Sequence, residues 1–137
     1  MREILFRAKR RRADEWVESE SLNQFKNPYT EKVEAHLWRD GHGWMVCDIE
    51  TVGQFTGLID RNGKRIFEGD VVRHYKRGIP MLYLYEVTFE NGAFGVCRLG
   101  DKTDALGFCE FYKSEFEVIG NVHDNSELSE SMLTEKI

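Results

Sequence analysis

No stretch of this 137-residue chain approaches the roughly 18 uninterrupted apolar residues of a membrane-spanning helix, which excludes a helical membrane protein. Charge begins at Arg2 and leaves no room for the apolar core of a secretory signal, so the expected compartment is the cytoplasm. Cysteine is scarce: Cys47, Cys97 and Cys109 are odd in number and lack C-x-x-C spacing, which excludes a disulfide framework and fits reduced thiols. The histidines His36, His42, His74 and His123 have no zinc-finger or zinc-ribbon spacing and read as scattered surface residues, so no metal site is expected. Also missing are G-x-S-x-G, the P-loop, G-x-G-x-x-G and H-E-x-x-H. The expectation is a non-enzyme with no catalytic residue, no metal and no cofactor.

What is present begins with turns. Asn62-Gly63 and Asn91-Gly92 are strong hairpin signals, because both residue types accept the positive φ of a two-residue type I′ turn. Around the first pair lie Phe55, Leu58-Ile59, Ile66-Phe67 and Val71-Val72, with Gly57 and Gly69 placed where a strand bends or bulges. Around the second lie Tyr83 to Glu90 and Ala93 to Cys97, and the alternating run Phe116 to Val122 reads as a closing strand. Short β segments with glycine at the bends point to a small SH3-like barrel over residues 51–123. A hydrophobic content of 41% and an aromatic content of 12% suit such a packed core.

Ahead of it, Glu3 to Arg7 reads as a strand, residues 9–15 as a polar turn, and Val33 to Trp38 with Trp44 to Cys47 as a hairpin turned at Asp40-Gly41. Residues 1–50 thus form an N-terminal β-hairpin lobe. The polar stretch 19–32 reads as a loop, since Pro28 argues against a regular element there. Gly78-Ile79-Pro80 is expected to break the strand that begins at Val71, and residues 98–109 to form a loop with one helical turn. Residues 124–137 read as a tail holding a short helix over Glu127 to Lys136, capped by Asn125 or Ser126.

The run Thr51-Val52-Gly53-Gln54-Phe55-Thr56-Gly57-Leu58, then Asp60, Asn62-Gly63-Lys64, Ile66 to Val72, Phe89 to Gly95 and Val118 to Asn121, resembles the YopX family of bacterial and phage proteins. Met1 to Arg7 fits the same pattern. The resemblance implies a mostly β protein with an SH3-like barrel in its second half, encoded in phages or prophages. It implies no assigned activity and no site residues to carry over.

The formal net charge of −5 conceals an asymmetry. Residues 1–12 hold six cations against Glu3, a net of +5, while Glu110 to the last residue holds seven acids against Lys113 and Lys136, a net of −5. Opposite ends suit intrachain contact, head-to-tail association or a polyanion partner. Lys9, Arg10, Arg11 and Arg12 are the candidate nucleic-acid contacts, with Trp16, Tyr75 and Tyr85 as candidate stacking faces. A pI near 5.4 weighs against that reading and favours a solvated turn or an acidic neighbour. Asp70, beside Gly69, reads as a turn residue bonded to its own backbone. Cys97 reads as a small buried hydrophobe. The leading expectation is a phage- or prophage-type accessory protein, a self-associating binding or scaffold module with a homo-oligomeric, host or phage protein partner. The alternative is a nucleic-acid-binding protein using the basic turn.

Overall fold

Alternation of apolar and polar residues sets up the first unit, in which strands with one buried face stack as two layers. The computed structural model describes residues 2–101, 105–111 and 115–124. Over these the protein is mainly β and divides into two compact units between Gly57 and Leu58. In the first unit β1 (Phe6–Lys9) pairs antiparallel with β2 (Trp16–Ser19), while β3 (Leu22–Lys26), β4 (Val33–Arg39) and β5 (Gly43–Cys47) form a three-stranded sheet in that order. A 3₁₀ turn, Ile49–Thr51, leads into β6 (Gly53–Ile59), whose first residues pair with β1. Ala8, Val17, Leu37 and Cys47 are the core here, with Phe6, Leu22, Met45 and Val52 packed around them. Each large apolar side chain fully buried in this way contributes about 1.5–3 kcal/mol.

One expectation fails in this unit. The stretch 19–32, read as a loop, contains β3, whose register runs from Leu22 opposite Leu37 to Lys26 opposite Val33. Only Leu22 of β3 is partly buried, so an edge strand wet on both faces carries no alternation to detect. Pro28 falls in the turn that follows, where the Asn27 side-chain oxygen accepts the Tyr29 and Thr30 N–H groups at 2.8 and 3.3 Å.

In the second unit β6 passes Gly57, which takes φ +88°, and neighbours β7 (Arg65–Phe67). Then come β8 (Asp70–Lys76), β9 (Ile79–Glu90), β10 (Ala93–Arg98), β11 (Ala105–Gly107), a 3₁₀ turn at Phe108–Phe111, and β12 (Glu115–Asn121). Among the described residues this is an open five-stranded sheet, order β11-β10-β9-β8-β12, and no ladder closes it into a barrel. Ile66, Val72, Val87, Val96 and Phe116 form its core, covered by Tyr85, Phe108, Phe111 and Val118. The helix expected over Glu127 to Lys136 lies outside the described residues.

The turns differ instructively from expectation. Asn91 and Gly92 take φ of +53° and +79°, the type I′ pair anticipated. At the other pair only Gly63 is left-handed, at φ +83°. The Gly63 N–H donates to Asp60 O at 3.1 Å and the Asp60 N–H to Lys64 O at 2.7 Å, a type I turn closed by a glycine bulge. Arg77 and Gly78, with φ of +54° and +78°, make a further tight hairpin, so Ile79-Pro80 does not break the sheet but begins β9. Pro80 is tolerated because β10 reaches only from Glu90 to Tyr85, leaving that side of Pro80 with no paired strand among the described residues. The described part of residues 98–109 holds the short strand β11 where loop is expected, while the expected helical turn is present as the start of the 3₁₀ turn at Phe108.

His74 is stacked on Phe116 at 5.3 Å and meets Phe111 edge-on at 4.9 Å, and its Nε2 is buried without a hydrogen-bond partner among the described residues. Burial, then the Lys76 charge, pushes the ring below the ordinary histidine range. A depressed folded value means that stability is present above the unfolded pKa of about 6.5 and is lost as pH falls through the folded one. His74→Phe is therefore expected to flatten the pH dependence of urea unfolding just below pH 6.5, a change absent if the imidazole already titrates freely.

Candidate functional site

The basic turn joins β1 to β2 and is built into the first unit by backbone bonds. The Arg10 N–H donates to Glu15 O at 2.9 Å, the Arg11 N–H to Val46 O at 3.1 Å, and the Lys9 N–H to Thr51 Oγ1 at 2.9 Å. Thr51 in turn donates to Asp48 O at 2.6 Å, which fixes the 3₁₀ turn beneath. The side chains then find acids of their own unit. Lys9 Nζ lies 2.7 Å from Asp14, Arg10 3.0 Å from Glu15, and Arg11 pairs with Glu34, a carboxylate only 5% exposed. Arg39 adds a second bond to Glu15, at 2.5 Å. Arg39 and then Arg10 hold the Glu15 carboxyl below the ordinary range, and Arg11 does the same for Glu34 against the upward push of its burial. Arg12 is exposed and pairs with no acid among the described residues.

Beside this turn lies a face that was not anticipated. The two-residue period of β4 sends Ala35 and Leu37 into the core and Glu34, His36 and Trp38 outward. β5 answers in register, with Trp44 opposite Trp38 and Val46 opposite His36. The two indoles sit edge to face, centroids 5.5 Å apart, and remain 42% and 48% exposed. The Trp38 Nε1–H donates to Asp40 Oδ1 at 3.0 Å, which orients its ring. Phe25 of β3 reaches the same face, edge-on to His36 at 4.5 Å. A concavity of about 460 Å³ joins the two features, lined by Arg10, Arg11, Arg12, Trp44, Met45 and Val46. Exposed tryptophan beside arginine is the composition of an interface centre, since both combine large contact area with directed hydrogen bonding.

The YopX protein family matches residues 5–130. The chain belongs to the YopX family. A solved structure, protein EF1440 from Enterococcus faecalis, is similar at 23% identity and a TM-score of 0.53, covering 94% of this chain and 99% of that one; the likeness is one of fold. No curated protein matches the chain.

In this YopX-family chain the three aromatics expected as stacking faces are otherwise engaged. The Arg7 guanidinium lies 4.8 Å over Trp16, that of Arg61 3.9 Å over Tyr75, and Tyr85 packs against Phe111 in the core. Asp70 is buried and accepts the Phe67 N–H at 2.7 Å, the backbone role expected of it. Cys47 is a free, buried thiol that burial pushes up, away from reactivity, and Cys97 is buried in the second unit. The side chain of Cys109 lies outside the described part. A second concavity, about 490 Å³ in the other unit, is lined mainly by Leu58, Ile59, Phe108, Phe111 and Phe116. Its two acids are occupied, Asp60 by backbone donors and Glu115 by Arg61 at 3.7 Å. No group of three or more metal-ligating side chains exists among the described residues, and none of their helices is long and apolar enough to cross a membrane.

The sequence did hold a signal for the outer face. Glu34-Ala35-His36-Leu37-Trp38 places a tryptophan in the polar phase of a half-buried strand, and the Asp40-Gly41 turn sets Trp44 across from it. An aromatic on the wet phase of an alternating strand is the pattern to look for.

Proposed function

We propose that the chain is a non-enzymatic, self-associating binding module of phage or prophage type, acting in the cytoplasm, with the Trp38–Trp44 face as its contact surface. The observation that carries this reading is the pair of half-exposed, mutually packed indoles on a sheet whose other face is already core. Such rings hold their geometry before contact, so little side-chain entropy is lost on binding. The phage or prophage setting rests on the family likeness alone. The SH3-like reading of residues 51–123 draws support from the place of β12: it lies beside β8, while the Phe116 O and Val118 N–H on its chain bond to Arg61 and Asp60 of the β6–β7 loop. A small barrel needs contacts of that kind at its seam.

Light scattering tests the reading. The wild-type chain is expected to associate at tens of micromolar, and Trp38→Ala with Trp44→Ala to weaken association by roughly tenfold or more while leaving thermal unfolding unchanged. A strict monomer at that concentration would end the proposal.

A second reading, nucleic-acid binding through Lys9, Arg10, Arg11 and Arg12, is favoured by the arginine-lined concavity beside Trp44. Against it stand Asp14, Glu15 and Glu34, which already neutralise three of the four cations and would face an incoming phosphate. Unchanged anisotropy of labelled DNA or RNA at low salt, for the wild type and an Arg10→Ala, Arg11→Ala, Arg12→Ala variant alike, rejects this alternative.

A further inference from the structure

We infer that the outer face of the β3–β4–β5 sheet receives segment 125–137 of a second copy of the chain, so that copies join head to tail. This rests on the proposed reading of the chain as a self-associating module and names what the face would hold. Charge and apolar complementarity carry it. The segment holds Glu127, Glu130 and Glu135 against Lys136, interspersed with Leu128, Met132, Leu133 and Ile137. The face offers the matching pair of chemistries: the Trp38 and Trp44 indoles with Val46 for the apolar residues, and Arg12, exposed and without an acid among the described residues, at their border.

The ion pairs decide between this occupant and a polyanion. A phosphate backbone needs a continuous run of available cations, and here Asp14, Glu15 and Glu34 interrupt it. A segment with spaced acids needs only one or two, with apolar anchors between them, and that is the composition of 125–137. A face and its complement at different places on one chain make a heterologous contact, which builds rings or open chains of copies where an isologous contact stops at a dimer. Association is thus expected to continue past the dimer as concentration rises and to weaken with added salt.

A mixing experiment tests this on otherwise full chains. Truncation after Asp124 and the Trp38→Ala, Trp44→Ala double variant are each expected to be monomeric in light scattering, and their equimolar mixture to form a 1:1 heterodimer and nothing larger. A labelled peptide of residues 125–137 is expected to bind the truncated chain, and Arg12→Glu to weaken that binding roughly tenfold. If truncation leaves assembly intact while the tryptophan variant abolishes it, the segment is not the occupant, although the face still mediates self-association. If the wild type is monomeric yet the truncated chain binds the peptide, the segment lies on its own chain and the intermolecular inference is overturned. A wild-type monomer together with no peptide binding removes both the inference and the reading beneath it.

Discussion

Replacing Asp60 by alanine is expected to destabilise the second unit by about 3 kcal/mol, because one nearly buried carboxylate accepts three backbone N–H groups and ties the β6–β7 loop to β12. Its Oδ1 takes the N–H groups of Asn62 and Lys64, both at 2.8 Å, and its Oδ2 takes that of Val118 at 2.9 Å. The first two bonds shape the β6–β7 loop, and the third ties that loop to β12, beside the bond from the Arg61 N–H to Phe116 O. Val118 lies where β12 shifts register against β8, at the irregularity between Val118 and Gly120. One side chain thus connects residues far apart in sequence. The expected drop in melting temperature is about 15 °C, with Asp60→Asn intermediate, since the amide keeps one acceptor but turns a donor toward a donor. Burial pushes the Asp60 carboxyl up, but the Val118, Lys64 and Asn62 donors and the Lys64 charge outweigh it and hold the group below its ordinary value. A depressed carboxylate contributes stability that is complete above the unfolded pKa of about 3.9 and is lost as pH falls through the folded value. Acid unfolding of Asp60→Ala is therefore expected to show a shallower slope in that range. Hydrogen exchange at Asn62, Lys64 and Val118 reads the same change directly, and unaltered protection there would mean that the carboxylate is not what holds these groups.

Asp60 also explains where the sequence was misleading. Asn62-Gly63 is a hairpin turn as read, yet its geometry is set two residues earlier, by a carboxylate that captures the Asn62 N–H and leaves asparagine no reason to adopt positive φ. Asn91-Gly92 has no such neighbour and takes the form that its composition favours. The Arg77-Gly78 hairpin was hidden because arginine is not a residue that advertises a left-handed turn. β3 and β11 were hidden because they are edges, with too little burial to impose a pattern. The core strands, with Val71-Val72, Val87 and Val96 fully buried, were legible for the opposite reason. The basic turn was legible as a charge cluster but not as a neutralised one, since Glu34 lies over 20 residues away in sequence and reaches Arg11 only once β4 is in place.

Gly95→Ala is the other substitution expected to do large damage, and for a reason that has nothing to do with backbone freedom. A Cβ built at Gly95 would stand 2.3 Å from the Leu106 carbonyl oxygen and 3.0 Å from the Gly107 Cα, both backbone atoms of β11. A flexible side chain would swing aside, but a strand must move as a whole, and here it pairs through Gly95 opposite Gly107 and Val96 opposite Leu106. Displacing β11 carries with it the 3₁₀ turn that follows, and so Phe108 and Phe111, which meet Phe116 edge-on at 5.5 and 5.2 Å and cover the core. Overpacking strain of this kind is expected to cost about 2–3 kcal/mol. Gly78→Ala is the natural comparison: nothing stands within 4 Å of its Cβ, and only the φ of +78° penalises it, by about 1 kcal/mol. Urea unfolding should rank the two in that order, and the near-ultraviolet circular dichroism of Gly95→Ala should lose aromatic signal in the folded state while that of Gly78→Ala keeps it. Equal losses of stability would mean that β11 does not cross Gly95 as closely as the geometry has it, and the packing of Phe108 and Phe111 over Phe116 would then need another cause.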